Sequence, residues 1–253
     1  MMKKLISVAL VLAMSLSLAA CGSSGNPEGT ATKGVLVMAT NAEFPPYEYH
    51  DGDSIVGIDA EIAEAIAKKM GCELRIEDIA FDSIIPEVSS GKADIGLAGM
   101  TVTEDRKQSV DFSESYATSS QVVIVPENSG ISSLSDLGAD SIVGVQTGTT
   151  GDIYCSDDDS IGTVERYNKG MEAVQALTQG KIDAVVIDSE PAKVFVSENP
   201  GLMVLKENYT NEEYAAAIRK GNTVLLDNVN KALEELKADG TLDKIVAKYI
   251  AAE

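Results

Sequence analysis

The sequence has no tryptophan, a single histidine (His50) and only four phenylalanines in 253 residues. A lone histidine excludes the multi-histidine zinc sites of ordinary metalloenzymes. Basic residues are scarce: 20 Lys and Arg stand against 40 Asp and Glu, a net charge of −20. So acidic a chain excludes a nucleic-acid backbone or an anionic membrane surface as an electrostatic partner, and the charge keeps the protein soluble. No nucleophile–base pair of a covalent enzyme is visible, and no metal or cofactor is expected. The length accommodates one large domain or two modest ones. His50 stands beside Asp51-Gly52-Asp53 and reads as a surface turn residue.

Long apolar runs are also missing, with one exception. Lys3 and Lys4 precede the apolar stretch Leu5 to Leu16, and Leu18-Ala19-Ala20 leads into Cys21. Residues 1–20 read as an export signal; at about 16 residues, Leu5 to Ala20 is short for a membrane-spanning helix. The tetrad Leu18-Ala19-Ala20-Cys21 resembles the lipobox of bacterial lipoproteins. That resemblance implies cleavage before Cys21 and a diacylglyceryl thioether on its sulfur, with the domain held by acyl chains to the outer face of the cytoplasmic membrane. Residues 21–33 then form the lipidated cysteine and a flexible tether rich in Gly, Ser, Thr and Pro. Export permits a disulfide between the two remaining cysteines, Cys72 and Cys155. Their wide separation argues that they do not bond each other.

From Gly34 onward, strand and helix signals alternate. Val35 to Ala39 is a short buried-strand run. Ile58, Ile62, Ile66 and Met70 recur every four residues, which predicts a helix over Asp59 to Met70 with one apolar stripe, stopped by Gly71. Glu73 to Ile76 reads as a strand, and Ser83 to Ser90 as a short helix ended by Gly91. Val229, Leu233 and Leu236 predict a helix over Asp227 to Ala238. Thr241 is expected to cap a last helix through Tyr249. Alternation of this kind predicts an α/β fold with mainly parallel sheet.

An internal echo says more. Gly91-Lys92-Ala93-Asp94-Ile95-Gly96-Leu97-Ala98 is similar to Gly180-Lys181-Ile182-Asp183-Ala184-Val185-Val186-Ile187. Both read as helix stop, turn and buried strand. The first strand runs out into Gly99 and Thr101, the second into Asp188. Ligands of open α/β sheets bind beyond the carboxyl ends of strands, so two such units facing each other would share one cleft. A third strand end, Ser141 to Val145, opens into Gln146-Thr147-Gly148-Thr149-Thr150-Gly151-Asp152 and a helix start, whose N–H groups suit an anion. It lacks the lysine and glycines of a nucleotide-binding P-loop.

Several runs together resemble the family 3 solute-binding proteins, receptors for polar amino acids. They are Gly57-Ile58-Asp59-Ala60-Glu61-Ile62-Ala63-Glu64-Ala65-Ile66-Ala67, Gly99-Met100-Thr101-Val102-Thr103-Glu104-Asp105-Arg106, Asp111-Phe112-Ser113, Gly148-Thr149-Thr150 and Ile187-Asp188-Ser189. The resemblance implies a two-lobed α/β fold of the type II periplasmic-binding-protein kind, with the ligand in the cleft between lobes. It puts residues 34–116 plus 217–253 in lobe 1 and 122–212 in lobe 2, with hinge strands near 117–121 and 213–216. It implies a monomer without cofactor that hands an amino acid to an ABC transporter permease.

The resemblance also implies the site. Arg106 offers a forked guanidinium for a ligand carboxylate, completed by Thr101 and Thr150. Asp188, the Gly99 carbonyl and the Thr101 hydroxyl offer acceptors for the ammonium. Phe44 and Phe81 would sandwich the ligand side chain, with Asn41, Gln146 and, if it points inward, Glu43 setting selectivity. Neutral polar and cationic amino acids both stay open. Alternatives on the same scaffold are an enzyme resembling cyclohexadienyl dehydratases and a ligand-sensing domain. Asp188 argues for binding over catalysis, since a substrate without an amine leaves it no role.

Overall fold

The computed structural model describes residues 34–250, so the export signal, Cys21, the tether and residues 251–253 lie outside the described residues. The chain first runs through β1 (Val35–Thr40), β2 (Glu43–Phe44), β3 (Glu48–Asp51), β4 (Ser54–Val56), α1 (Ile58–Met70), β5 (Glu73–Asp78), α2 (Ile84–Ser90), β6 (Ile95–Gly96), α3 (Arg106–Ser109) and β7 (Val110–Phe112). There follow β8 (Ala117–Pro126), β9 (Ile142–Gln146), α4 (Thr150–Asp157), β10 (Thr163–Tyr167), α5 (Gly170–Thr178), β11 (Ala184–Asp188), α6 (Ser189–Glu198) and β12 (Leu202–Val204). It ends with β13 (Thr210–Tyr214), β14 (Ala217–Arg219), α7 (Thr223–Ala238) and α8 (Thr241–Tyr249).

Two α/β lobes result, each built on its own sheet. One sheet has the order β5-β1-β6-β14-β7, the other β10-β9-β11-β8-β12, with β13 paired to β8. A small antiparallel sheet, β2-β3-β4, lies beside the first. In both main sheets β1–β5, β1–β6, β9–β10 and β9–β11 are parallel, whereas β14 and β8 join antiparallel. The ten residues of β8 change partner along their length. Ala117–Gln121 pair with β13, and Gln121–Pro126 with β11 and β12.

The echo has a structural counterpart. Gly91 and Gly180 both take positive φ after their helices, where an L side chain is disfavoured. Asp94 then accepts the Val37 N–H at 2.9 Å and donates its own N–H to the Val37 carbonyl. Asp183 does the same with Ile142, at 2.8 Å. Each lobe thus ties the start of one central strand to its neighbour with the same residue type.

Helix α1 carries its stripe as the spacing predicts. Ile58, Ile62 and Ile66 are fully buried, Met70 is half-buried, and the helix packs against α7 and α8. Several boundaries differ from the sequence reading. Helix α7 begins four residues before Asp227, because Asn222 caps it through the Leu225 N–H and Leu225 is buried. Thr241 is the first residue of α8 and not its cap; Gly240 holds that position, and Asp239 Oδ1 accepts the Thr241 N–H. His50 is exposed but lies on β3, hydrogen-bonded to Asp78, just before the turn. Cys72 follows α1 in one lobe and Cys155 is buried in α4 of the other, with no disulfide between them. Among the described residues, no helix is long and apolar enough to cross a membrane.

Candidate functional site

A narrow cleft lies between the lobes, lined by Asn41, Phe44, Glu48, Phe81, Ala98, Gly99, Thr101, Arg106, Gln146, Thr149, Thr150 and Asp188. The polar groups arrive from ends of elements. Asn41 follows β1, Gln146 ends β9, Thr150 begins α4 and Asp188 ends β11. Arg106 opens the short α3.

Nine of the residues read from the sequence come together here: Asn41, Phe44, Phe81, Gly99, Thr101, Arg106, Gln146, Thr150 and Asp188. Glu43 is not among the lining residues. Its carboxylate turns to Lys169, with which it forms an ion pair between the lobes. Glu48, Ala98 and Thr149 line the cleft without having been singled out. Glu48 stands two residues before the surface residue His50, yet it is fully buried. Its position between two tyrosines on a strand was the available signal.

The Arg106 guanidinium is buried and donates from Nη1 to the Thr101 carbonyl at 2.8 Å and from Nη2 to the Gly148 carbonyl at 3.1 Å. A guanidinium carries five N–H donors, so these bonds orient the fork and leave others for an anion. The Phe81 ring lies under it, 5.4 Å from Cζ, a cation–π contact. Burial lowers the Arg106 pKa, and Glu212 and Asp188 work against that fall. The group stays charged in any case.

Acidic groups surround it. Asp188 is buried at the N-cap position of α6 but does not cap that helix; instead it accepts the Tyr214 hydroxyl. Burial, with Glu212 next, pushes its pKa up. Beneath the cleft, Asp59 accepts the Gly99 N–H at 2.8 Å and the Tyr116 hydroxyl at 2.7 Å. Burial raises Asp59 to about 6, and burial together with Asp59 drives Glu48 well above the usual carboxylate range. Among the described residues, both Glu48 oxygens and Asp59 Oδ1 find no hydrogen-bond donor; a proton shared between the two carboxyls pairs one oxygen of each and leaves the second Glu48 oxygen open. Gly99 has φ of +53°, and a Cβ there would come within 2.8 Å of Phe44. Only glycine lets the strand end approach that ring.

The lobes also touch directly. Gln146 Nε2 donates to Asn41 Oδ1 at 2.8 Å, and Asn41 Nδ2 donates to the Ile79 carbonyl. The sequence model of the bacterial extracellular solute-binding proteins, family 3, matches residues 36–252. The chain belongs to this family. Along its whole length it is similar to the arginine-binding extracellular protein of Bacillus subtilis, at 35% identity over 257 residues and 100% of both chains. It also resembles an ancestral arginine-binding protein solved with arginine, at 42% identity and a TM-score of 0.82, over 86% of this chain and 99% of that one. An ancestral arginine-binding protein solved with glutamine matches at 42% identity and a TM-score of 0.82, over 87% of this chain and 99% of that one. The family's description and the relatives' names are those of solute-binding proteins, which supports binding over the dehydratase alternative, and the family is extracellular, so this chain is exported.

Proposed function

We propose that this family 3 protein captures a polar amino acid in the cleft and delivers it to an ABC importer by hinge closure. The observation that carries the reading is the joining of Arg106 and Asp188, distant in sequence, in the lining of one cleft. Arg106, with Thr150 and the N–H groups around Thr101, takes the ligand carboxylate; Asp188, the Gly99 carbonyl and the Thr101 hydroxyl take the ammonium. Phe44 and Phe81 flank the side chain, while Asn41 and Gln146 select it. Arg106 and Asp188 engage the two charged ends of the ligand, and the Asn41 and Gln146 amides meet its side chain, so neutral polar and cationic amino acids are the candidates. The naming of relatives after arginine, and the glutamine held by one of them, support trying these two first.

Residues 117–121 and 213–216 act as the hinge between lobe 1 (34–116 plus 217–253) and lobe 2 (122–212). A ligand touching both lobes favours their closed arrangement. Cys21 carries the lipid anchor, and the protein works as a monomer beside its permease.

Thermal unfolding of residues 22–253 against the twenty amino acids tests this. A ligand at 100 times its Kd stabilises by about 2.7 kcal/mol. A clear Tm rise with arginine, glutamine or another polar amino acid supports the reading; no rise with any of them sinks it. Replacing Cys21 by Ala should move the protein from the membrane to the soluble fraction.

A further inference from the structure

Strand β13 alternates, with Glu212 and Tyr214 buried and Asn211 and Glu213 exposed. Its buried face reaches the cleft although neither residue lines it. Glu212 Oε2 accepts from Thr101 Oγ1 at 2.9 Å and from Gln121 Nε2 at 3.1 Å. The second hydrogen of Gln121 Nε2 goes to Thr150 Oγ1 at 3.2 Å. All four side chains are at least nine-tenths buried. Tyr214, on the same face, holds Asp188. Thr101 belongs to the segment after β6 and Thr150 to α4, so Glu212 of β13 holds the first threonine directly and the second through Gln121 of β8.

A hydroxyl has one hydrogen and two lone pairs. Thr101 gives its hydrogen to a carboxylate, the stronger, charge-assisted kind of bond. Toward the cleft it therefore offers only lone pairs. Thr150 receives a hydrogen from Gln121, so its own hydrogen points elsewhere. We infer that Glu212 is a positioning residue that sets the hydrogen-bonding polarity of the two threonines, making Thr101 Oγ1 an acceptor for an ammonium and Thr150 Oγ1 a donor to a carboxylate. A zwitterion then fits one way round. The inference rests on the reading of the cleft as an amino-acid site.

The test uses the full mature chain and the amino acid that raises its Tm most, with Kd measured by calorimetry well below every variant's Tm. Glu212→Ala frees the Thr101 hydroxyl and releases the Gln121 amide that holds Thr150, and should weaken binding about 10- to 100-fold, the range for losing hydrogen bonds to a charged group. Glu212→Gln keeps an oxygen acceptor for Thr101 and Gln121 and should stay within about threefold of wild type, as should Glu213→Gln, which changes an exposed neighbour on the strand. Thr101→Val should weaken binding in the wild type and add little in the Glu212→Ala background. Equal losses for Glu212→Ala and Glu212→Gln would mean that charge alone acts and would overturn the inference. So would additive effects of Glu212→Ala and Thr101→Val. If wild type binds no amino acid, the functional reading has failed, and the relay is then judged on unfolding alone. A Tm loss of Glu212→Ala with Gln121→Ala smaller than the sum of the single losses keeps the relay, and an additive loss removes it.

Discussion

Arg106 of lobe 1 donates to the Gly148 carbonyl of lobe 2 at 3.1 Å, so the cation at the cleft is already bonded to both sides of it. Removing a buried, hydrogen-bonded charge partner costs roughly 2–5 kcal/mol of binding, which makes Arg106→Ala about 30- to several-thousand-fold weaker. Arg106→Lys should lose most of that as well, because a single ammonium cannot reproduce the planar fork. Calorimetric titration checks both, and a lysine variant within threefold of wild type would rule out bidentate recognition.

Asp59 gives stability a pH dependence of definite sign. Its pKa rises from 3.8 to about 6 on folding, chiefly by burial, against the pull of the Gly99, Tyr116 and Glu48 hydrogen bonds. The folded state therefore holds this proton more tightly than the unfolded chain. Its stabilising contribution is complete below the unfolded value of 3.8 and is lost as pH rises through about 6. At about 1.4 kcal/mol per unit, the full swing is roughly 3 kcal/mol. Asp59→Asn imitates the protonated form at every pH. Its Tm relative to wild type should climb between about pH 4 and pH 7; a flat difference would show that Asp59 does not titrate there.

Gly57 precedes α1 with φ of +127°, and a Cβ on it would strike the Tyr47 carbonyl oxygen. That carbonyl also accepts the Asp59 N–H at 2.8 Å. Gly57→Ala combines a disfavoured backbone with a backbone clash, so a loss of roughly 2–6 kcal/mol is expected. Urea unfolding measures it, and a loss under about 0.5 kcal/mol would place the substitution among ordinary surface changes.

The Glu43–Lys169 pair joins the lobes at a partly exposed position. Exposed pairs contribute about 0–1 kcal/mol. Glu43→Gln should therefore shift Kd by less than about fivefold, and less again in high salt. A change of hundredfold in selectivity between arginine and glutamine would show that Glu43 reaches the ligand after all.

The lobe pattern was legible because glycine stops and strand runs repeat. Gly91 to Ala98 and Gly180 to Ile187 are local signals, and each folds as the same helix stop and strand. What the aspartates of the echo do was not legible, since Asp94 and Asp183 bond to Val37 and Ile142, strands distant in the chain. Nine lining residues were reached through the resemblance, which encodes three-dimensional proximity that spacing alone lacks. Glu48 and Glu212 were missed because a glutamate reads as solvated, and only the finished cleft and crossover bury them. The helix starts at Thr223 and Thr241 moved because caps depend on which side chain turns inward.

Strand β14 lies between β6 and β7 in the first sheet, although about a hundred residues separate it from either in the chain. As the polypeptide emerges from its N-terminus, the strands from Val35 to Phe112 wait for the strand that joins β6 to β7, which arrives only with Ala217–Arg219. The second lobe has all of its sheet by Tyr214. Until then β6 presents an open edge, and such edges recruit foreign strands. The order of birth therefore inverts the order of the sequence: the lobe begun first is finished last, and its vulnerable interval spans the synthesis of the other.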